Sequence, residues 1–467
     1  MRIPRVLAVL TGSVLALTAL AAPGPAAAER GTPGTWTKIT TGKVINIAEP
    51  GLLRTADGVL HVVYHRGNYS TDDLAFTTIS STGKVLATGD AVTGWASLPQ
   101  DPKLVSAPGG GIRLLFAGMQ DIDVSNPYST GQFFSATSDA TGSAWTLQPG
   151  ALSDSGYGQA SYGTGATTLA DGTPMVSFPL NSTLTWNAGG SAVDSTYDFG
   201  DCCAYNTTLA REGDGVTVAW SANGDTDATS GVFVKQLLPA VGPTVKAPQS
   251  TTKGDFVMSS RSTPFVARPG GGLYAAYCLG YPTCKVGVWK VGAAKPVVVP
   301  GSNDARQYAM GVAPGGRLWV AWSVANSNLV RFTHTGTSGT GFGAVTTIKP
   351  PKGATVYGIS VAPSDGSADL VVADGSSMFH QQVLPGLSLK ASPAKWKKAK
   401  KQKVLFTVRD AGVAVAGAKV KAGGASCRTA KTGRCTITFA PSKKAKRIWA
   451  TARQAGYGAA KVRLKAS

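Results

Sequence analysis

A repeated pattern limits what this chain can fold into. Seven times, a β-prone stretch runs into a Gly/Asp turn and then into a second stretch that ends near an aromatic or apolar residue. Repeats of ~40–50 residues with several short strands are typical of β-propeller blades. Glycine is abundant and helical periodicity is nearly absent, so the sequence predicts an all-β protein. The repeats end 42 to 62 residues apart, at Tyr64, Phe116, Phe178, Trp220, Tyr277, Trp322 and, in the faintest copy, Val372.

Each repeat has a second half that supplies two further strands. Residues 132–136 and 286–290 alternate as strands, and residues 144–147 follow as an outer strand. Four strands per repeat predict a seven-bladed β-propeller over residues 29–385, with six blades as the alternative because the last repeat is faint. Residues 35–39 resemble residues 144–147. We therefore expect the N-terminal strand to complete the seventh blade, which removes two open sheet edges.

The first 28 residues have the composition of a secretory signal peptide. Arg2 and Arg5 precede an apolar stretch over residues 6–22, and Ala26 to Ala28 form a small-residue cleavage site. No later apolar stretch approaches the ~20 residues of a transmembrane helix, so no transmembrane anchor is expected. The sequence predicts a secreted protein that can associate with the cell envelope.

Six cysteines agree with an oxidising destination. They form three pairs that are close in sequence, and many other connectivities are open. A bond between neighbouring cysteines closes a strained ring, a feature found at functional sites, while a plain rigid turn or pairing elsewhere is the alternative. The three pairs are Cys202 with Cys203, Cys278 with Cys284, and Cys427 with Cys435.

Charge divides the chain at residue 386. Residues 386–467 contain 21 Lys/Arg and a single acid, Asp410, whereas the rest of the chain contains 24 basic and 24 acidic residues. The whole formal net charge of +20 therefore lies in the C-terminal segment. Clustered positive charge attracts polyanions, although it also favours solubility. The polyanion-binding candidates are Lys397, Lys398, Lys400, Lys401, Lys443, Lys444, Lys446 and Arg447.

We expect this segment to hold the protein on anionic cell-surface polymers. Aromatic residues are few there, so no specific nucleic acid is predicted as a partner. The sequence pattern of the segment also predicts about five strands. Residues 408–420 and 427–435 resemble bacterial immunoglobulin-like and carboxypeptidase regulatory-like domains. The resemblance implies a small β-sandwich over residues 386–467, with a hairpin turn at Thr432-Gly433. A Cys427–Cys435 bridge would add stability to so small a core.

Residues 135–145, SATSDATGSAW, resemble the Asp-box turn of sialidase-type β-propellers, with one extra residue between Asp139 and Gly142. The fold resemblance covers roughly residues 35–385. It implies that the Asp139 side chain caps backbone N–H groups. Sialidases bind the substrate carboxylate through the arginine of an Arg-Ile-Pro motif, and this chain has Ala48-Glu49-Pro50 at that place. The catalytic residues of sialidases are therefore not assigned to this chain. We expect a binding protein rather than an enzyme.

One face of the predicted propeller is expected to collect two kinds of polar loop. They are the loops that follow the aromatic position of each repeat and the connections between repeats. Aromatic and acidic side chains on such loops suit sugars, and they are also ordinary residues of solvated loops. No catalytic residue is assigned. The ligand-binding candidates are Arg66, Tyr69, Asp72, Asp73, Asp121, Asp123, Tyr128, Tyr157, Asp201, Asp225, Asp227, Arg261, Asp304 and Arg306.

No motif for a cofactor is present in the sequence. The four histidines have no metal-binding spacing, and His61 is expected to pack within a strand. The acid pairs Asp121/Asp123 and Asp225/Asp227 carry the oxygen ligands that Ca²⁺ prefers, but they lack EF-hand spacing. We therefore predict no metal and no cofactor, with Ca²⁺ as the alternative.

The predicted function is binding of a glycan or another cell-surface ligand by a secreted propeller with a cationic tether. One alternative is a carbohydrate-active hydrolase or lyase, sialidase-like, that uses loop-face carboxylates. Another is a structural envelope protein. Two converging carboxylates, ~5–10 Å apart, would favour a glycosidase, whereas aromatic shelves without such a pair would favour a binder.

Overall fold

The structure of the protein is a computed structural model. Within the residues that it describes, the chain forms 37 strands and one short 3-10 segment, Pro108–Gly110. The protein is therefore all-β. The described residues are 34–42, 44, 49–67, 72–95, 102–118, 132–152, 163–180, 183–188, 195–198, 204–224, 226–250, 263–280, 284–325, 327–397, 400–441 and 447–466.

Strands up to Val383 form seven four-stranded antiparallel sheets that follow one another along the chain. The first strand, β1 (Thr37–Lys38), belongs to the last of these sheets. Sheet 1 consists of β2 (Gly51–Arg54), β3 (Leu60–Gly67), β4 (Asp72–Ile79) and β5 (Val85–Trp95). Sheet 2 consists of β6 (Lys103–Ser106), β7 (Ile112–Gly118), β8 (Gln132–Ser138) and β9 (Trp145–Leu147). Sheet 3 consists of β10 (Gly165–Thr168), β11 (Pro174–Leu180), β12 (Thr183–Ala188) and β13 (Ser195–Asp198).

The remaining four sheets of this region repeat the same order of strands. Sheet 4 consists of β14 (Ala204–Glu212), β15 (Gly215–Asn223), β16 (Ser230–Leu238) and β17 (Thr244–Lys246). Sheet 5 consists of β18 (Phe265–Ala267), β19 (Leu273–Cys278), β20 (Val286–Lys290) and β21 (Val297–Val298). Sheet 6 consists of β22 (Ala305–Val312), β23 (Leu318–Val324), β24 (Val330–His334) and β25 (Thr346–Ile348). Sheet 7 consists of β1 with β26 (Gly358–Pro363), β27 (Ala368–Ala373) and β28 (Met378–Val383).

Sheet 7 takes strands from both ends of this region. In β1, Thr37 lies opposite His380 of β28. Beyond β1, the Ile39 N–H donates to the Met378 carbonyl at 3.0 Å. The prediction that an N-terminal strand completes the last sheet is confirmed, and the pairing covers an edge of β28 that would otherwise be open.

The seven sheets form a closed, propeller-like ring. The first strand of each sheet contacts the first strand of the next, and β26 of sheet 7 contacts β2 of sheet 1. A hydrophobic cluster lies between each pair of successive sheets. The cluster that joins sheet 7 to sheet 1 contains Val371, Val62 and Tyr64. The apolar faces of the sheets are thus buried against one another.

The repeated aromatic position has one structural role. Tyr64, Phe116 and Phe178 are buried, and each packs into the cluster between its own sheet and the preceding one. Trp220 and Trp322 do the same in sheets 4 and 6. Burying a large apolar side chain contributes about 1.5–3 kcal/mol. The periodic signal in the sequence therefore reports inter-sheet packing and carries no information about a ligand.

A buried polar cluster also closes the ring between sheets 7 and 1. The Arg54 guanidinium bonds to the Asp369 carboxylate and donates to the Ala362 carbonyl at 3.0 Å. On the other side of the carboxylate, His380 Nε2 lies 2.6 Å from Asp369 Oδ1. Because all its oxygens face partners, the buried charge of Asp369 is compensated.

The turn at Asp139 links sheets 1 and 2. Asp139 Oδ1 accepts a bond from the Thr141 N–H at 3.0 Å, as the resemblance to an Asp-box turn implied. Gly142 has a φ of +64°, and a Cβ there would lie 2.3 Å from His61 Nδ1. Only glycine fits this close approach. His61 is buried in β3, as expected from its place in the strand pattern.

The C-terminal segment forms a unit with two sheets. Sheet 8 contains β29 (Ser388–Ser392), β31 (Gln402–Asp410), β32 (Val413–Ala414) and β35 (Arg434–Phe439). Sheet 9 contains, in spatial order, β30 (Lys395–Trp396), β37 (Ala460–Ala466), β36 (Ile448–Arg453), β33 (Lys419–Ala422) and β34 (Ala425–Arg428). One hydrophobic cluster, separate from those of the ring, joins the two sheets through residues such as Trp396, Phe406 and Leu464.

Two expectations for this unit need correction. The sequence suggested about five strands, and the described residues of this unit form nine, because short edge strands such as β30 and β32 carry little apolar signal. A hairpin was expected around Thr432-Gly433. The chain does turn there, but β34 lies in sheet 9 and β35 in sheet 8, so the Cys427–Cys435 disulfide connects the two sheets.

Asp410 joins the C-terminal unit to the ring. The Asp410 side chain is only 2% exposed. Oδ2 lies 2.8 Å from Arg317 Nη2, and Oδ1 lies 3.4 Å from His334 Nε2, both in sheet 6 or at its edge. Burial, and then the nearby Asp410 carboxylate, raise the pKa of Tyr457 beside this cluster. The one acid of the cationic segment is therefore a contact between the two parts of the molecule.

Candidate functional site

The predicted binding face is formed by the connections after the second strand of each sheet and by those between sheets. Many of these connections, including most of those of sheets 2 and 3, lie outside the described residues. Asp72 begins β4, and nothing further is described of its side chain. The candidates outside the described residues are Tyr69, Asp121, Asp123, Tyr128, Tyr157, Asp201, Asp225 and Arg261, together with the neighbours Cys202 and Cys203.

Arg66 and Asp73 are brought together, but in an ion-pair cluster. Opposed in β3 and β4, they are joined by Arg66 Nη2 to Asp73 Oδ2 at 3.0 Å. The same nitrogen lies 2.7 Å from Oδ1 of Asp90, a residue of β5 that the sequence pattern did not single out. Gly42, which follows β1, packs against the Arg66 side chain. This cluster therefore joins β3, β4 and β5 and contacts Gly42 after β1.

Asp227 lies beside a small open cavity of about 400 Å³ on sheet 4. Its backbone carbonyl accepts a bond from Lys246 Nζ. Ser230, Ser250 and Gln249 contribute to the lining. A lysine among hydroxyl and amide groups suits a polar or anionic group of a ligand.

Asp304 and Arg306 lie close in sequence but have different partners. Asp304 Oδ1 accepts from Arg331 Nη1 at 3.2 Å. The register of β22 shifts between Ala305 and Tyr308, which takes Arg306 out of the ladder and leaves it exposed. Asp304 is thus ion-paired, and Arg306 is free to contact other groups on this face.

Tyr357 is the partner of Arg306. The guanidinium carbon of Arg306 lies 5.8 Å from the centre of the Tyr357 ring, and Tyr357 is 40% exposed. Tyr357 directly precedes β26, next to β22 at the centre of the ring, and its aromatic ring lies beside Gly375. The sequence analysis did not select Tyr357. Its position just before the first strand of a repeat is the signal that could have identified it.

A carboxylate and an amine lie at corresponding positions in sheets 1 and 2. Glu49, just before β2, has Oε2 3.3 Å from Nζ of Lys103 at the start of β6. The innermost strands of sheets 6, 7, 1 and 2 thus begin beside Arg306, Tyr357, Glu49 and Lys103. We call these two pairs, Arg306 with Tyr357 and Glu49 with Lys103, the central cluster. Its exposed aromatic ring and ionic groups have the chemistry of a sugar-binding surface.

A second cavity lies on the opposite face, at the turns between the first and second strands. It has a volume of about 490 Å³ and is lined by Leu53, Val105, Leu169 and Arg211, among others. Arg211 is exposed, and within the described residues it has no ion pair or side-chain hydrogen bond. No sequence signal pointed to this side of the ring.

The described histidines are not arranged for acid–base chemistry or for metal binding. All four histidines are buried. Burial lowers the pKa of His61 and of His334, so both favour the neutral form. Among the described residues, no group of three or more His, Cys, Asp or Glu is placed to hold a metal ion.

The cationic candidates of the C-terminal unit lie on its surface where they are described. Lys397, Lys400, Lys401 and Arg447 are exposed. Trp449 is the most exposed aromatic side chain described, at 53%. The remaining candidates, outside the described residues, are Lys398, Lys443, Lys444 and Lys446.

Two of the three predicted disulfides are present. Cys278 is bonded to Cys284, and Cys427 is bonded to Cys435, so both pairings are confirmed. The described part of the chain contains no helix that is long and apolar enough to cross a membrane.

No family model and no curated protein matches this chain. Several solved structures are distantly similar. The α-L-arabinanase of Penicillium chrysogenum, complexed with arabinobiose, is 12% identical, with 75% of this chain and 98% of that chain covered and a TM-score of 0.44. An ulvan lyase bound to a GlcA–Rha3S saccharide is 10% identical, with 74% and 94% covered and a TM-score of 0.44. The Aleuria aurantia lectin in complex with Fucα1-6GlcNAc is 11% identical, with 72% and 91% covered and a TM-score of 0.39. Likenesses this distant identify neither a family nor an activity for this chain.

Proposed function

We propose that this is a secreted glycan-binding protein that a cationic domain retains on anionic polymers of the cell envelope. In this proposal residues 1–28 are a signal peptide, residues 29–385 a seven-bladed β-propeller and residues 386–467 a basic immunoglobulin-like β-sandwich. Seven four-stranded sheets with clusters between them support the propeller and its blade number. The two sheets around one core support the sandwich. Two disulfides support an extracellular destination.

One observation carries the retention proposal. The C-terminal segment has 21 basic side chains and one acidic side chain, and that acid, Asp410, is buried against Arg317 of the ring. The charged side chains that this segment presents to solvent are therefore all cationic. A surface of one sign attracts polymers of the opposite sign, with an affinity that falls as salt rises.

The central cluster supports the glycan-binding part of the proposal. Tyr357 presents part of its ring to solvent, and Arg306 lies against that ring. An aromatic ring offers a flat apolar surface to the C–H face of a sugar, while the guanidinium donates to sugar oxygens or carboxylates. Loops on a rigid scaffold are the usual place for such contacts.

Binding is proposed rather than catalysis. Asp73 and Asp90 converge, but on a single guanidinium nitrogen of Arg66, which pairs with both. Glu49 and Asp304 are likewise ion-paired, with Lys103 and Arg331. These four carboxylates are therefore poor candidates for the acid and base of a glycosidase.

Adsorption of the full chain to charged and uncharged polymer tests retention. We expect the protein to bind carboxymethyl-dextran beads at about 50 mM salt and to dissociate from them at about 500 mM salt. It should not bind unmodified dextran beads at either salt concentration. Equal adsorption to both kinds of bead, or none to either, would remove the retention proposal.

An array of immobilised neutral glycans tests the ring. Since Tyr357 supplies the stacking surface, Tyr357→Ala should weaken capture of whichever glycan the unmodified protein binds by about tenfold. Leu86→Ala, which removes an exposed apolar side chain from β5 of the ring, is the control and should leave that capture unchanged. If Tyr357→Ala captures the glycan as well as the unmodified protein does, the central cluster is not the site.

A further inference from the structure

The outer face of sheet 9 concentrates the positive charge of the C-terminal unit. Strands β33, β36 and β37 alternate buried and exposed residues, so every second side chain points away from the core. Eight basic residues occupy exposed positions on this face, which we call the basic face. They are Lys395, Lys419, Lys421, Arg428, Arg453, Lys461, Arg463 and Lys465.

Strand pairing places these cations in adjoining rows. Lys419 lies opposite both Arg453 and Arg428, and Lys395 lies beside Lys465. Neighbouring strands lie ~4.8 Å apart, and alternate residues on one strand lie ~6.8 Å apart. A polymer lying across the sheet therefore meets several cations at once.

No acid offsets this charge. The only carboxylate side chain of the segment, Asp410, is buried on the other sheet, and none of the eight basic residues forms an ion pair with a described residue. Arg428 donates to the Gly417 carbonyl at 3.1 Å and stays exposed. The charge of the basic face is available to a partner.

Trp449 lies within the basic face. It projects outward from β36, directly opposite Arg463 of β37, and is 53% exposed. Lys461 lies one row away, opposite Thr451, and Arg447 continues the outward alternation of β36. A large aromatic ring left in water among cations packs no core, so folding alone does not account for it.

We propose that the basic face binds an acidic polysaccharide, with one sugar ring stacked on Trp449 and with carboxylate or sulfate groups held by the flanking lysines and arginines. This inference rests on the proposed retention function and names its surface and its ligand. The basic face, rather than the lysines of residues 397–401 and 443–446, is then the main polyanion contact.

The composition of the face favours this ligand over other polyanions. A nucleic-acid platform stacks successive bases on several aromatic side chains, and the basic face has one aromatic residue. An acyclic phosphate polymer has no ring to place on an indole. A ring that carries an anion uses both the indole and its neighbouring cations.

The opposite sheet supplies a matched control. The outer side of sheet 8 carries exposed Lys390, Lys403 and Arg434, interspersed with uncharged side chains such as Leu405 and Thr436. A triple alanine variant of these three residues removes the same charge as a triple variant of Lys419, Lys421 and Lys461. All six side chains are exposed, so neither variant disturbs the core.

The test measures binding of the full-length protein to alginate, inorganic polyphosphate and an oligothymidylate at one salt concentration. Trp449→Ala should bind alginate about tenfold more weakly and polyphosphate within about twofold of the unmodified protein. Trp449→Phe should restore most of the alginate binding. The Lys419/Lys421/Lys461 variant should lose affinity for both alginate and polyphosphate, and the Lys390/Lys403/Arg434 variant should lose clearly less.

Three outcomes would overturn the inference while retention stands. The first is unchanged alginate binding by Trp449→Ala, and the second is equal loss by the two triple variants. The third is tighter binding of the oligothymidylate than of alginate through Trp449, which would assign the face to nucleic acid. If the unmodified protein binds none of the three polyanions, the retention proposal itself fails.

Discussion

At the scale of single residues, two buried aspartates hold the molecule together. Asp369 lies between Arg54 and His380 where the ring closes, and Asp410 lies between Arg317 and His334 where the C-terminal unit meets the ring. A buried carboxylate is tolerated only when it is paired. At both junctions, an arginine and a histidine thus surround a buried aspartate.

Replacing Asp369 with alanine should destabilise the ring strongly. The change leaves the Arg54 guanidinium without its carboxylate, and breaking a buried ion pair costs about 3–5 kcal/mol. Urea unfolding followed by tryptophan fluorescence measures the loss. Asp214→Ala, which removes an exposed turn carboxylate, is the control and should change the free energy of unfolding by less than about 0.5 kcal/mol. Similar effects of the two changes would contradict the assigned role of Asp369.

Two buried histidines should make stability depend on pH. Burial lowers the pKa of His61 and His334, which face Asp57 and Asp139, and Asp410 and Arg317, respectively. Below about pH 6.5 the unfolded chain binds protons that the folded protein does not, so stability is full above that pH and falls as pH decreases toward the folded pKa values. Each histidine contributes at most about 1.4 kcal/mol per pH unit.

Unfolding free energies measured between pH 8 and pH 5 check this dependence. A His61→Gln/His334→Gln variant should show a flatter pH profile than the unmodified protein. The same slope in both proteins over this range would rule out these histidines as its source.

At the scale of elements, the period of the strands decides which side chains meet which partner. In β3, Val62 and Tyr64 pack toward sheet 7, and Val63 packs toward sheet 2. A strand buried on both sides needs apolar residues at successive positions. In β36 only one side is buried, and the outward positions are exposed to solvent. Trp449 and Arg453 therefore alternate with buried Ala450 and Ala452.

Removing the first strand should weaken the ring. A chain that starts at residue 41 lacks β1 and three bonds to β28, two that the Gly34 and Ile39 N–H groups donate and one that Thr40 Oγ1 accepts. With about 1 kcal/mol net for each hydrogen bond, we expect a loss of about 3 kcal/mol in urea unfolding.

The exposed edge of β28 should also promote association, measured by light scattering. A chain that starts at residue 34 keeps all these bonds and is the control. Equal stability and equal scattering of the two chains would show that closure does not depend on β1.

At the scale of the whole molecule, a nearly neutral ring is attached to a cationic unit. The contact between them uses the only acid of the cationic unit, so its outer surfaces keep all of their charge. In the proposed function, this arrangement places a glycan-binding face and a polyanion-binding face on one particle. Binding through both faces would raise the overall affinity for an envelope that presents both ligands.

Substitution of Asp410 should uncouple the two parts. Asp410→Ala removes the carboxylate that Arg317 and His334 contact, and the loss is expected to be about 3 kcal/mol. Calorimetry should show the cationic unit melting earlier than the ring, and proteolysis should begin near residues 384–388. Lys403→Ala, which replaces an exposed residue of the same strand, is the control. It should leave the melting profile of the unmodified protein unchanged. Concerted melting of Asp410→Ala would argue against the coupling.

Local patterns in the sequence determined the secondary structure and much of the architecture. The aromatic ends of the repeats fixed the second strand of each sheet, because large apolar residues at that position fill the space between sheets. The resemblance of residues 35–39 to residues 144–147 was enough to predict the closing strand. The short spacings of Cys278–Cys284 and Cys427–Cys435 suggested their pairing, and the structure confirms it.

Only the tertiary structure decided which polar residues are available to a ligand. Arg66 and Asp73 have the composition of a binding loop, yet Asp90 from another strand completes an ion pair that ties them down. Tyr357 and Arg306, 51 positions apart, meet only because the first strands of sheets 6 and 7 are neighbours. The rows of the basic face likewise depend on which strands pair. Composition and period are local properties of a chain, whereas availability depends on contacts between residues that are distant in sequence.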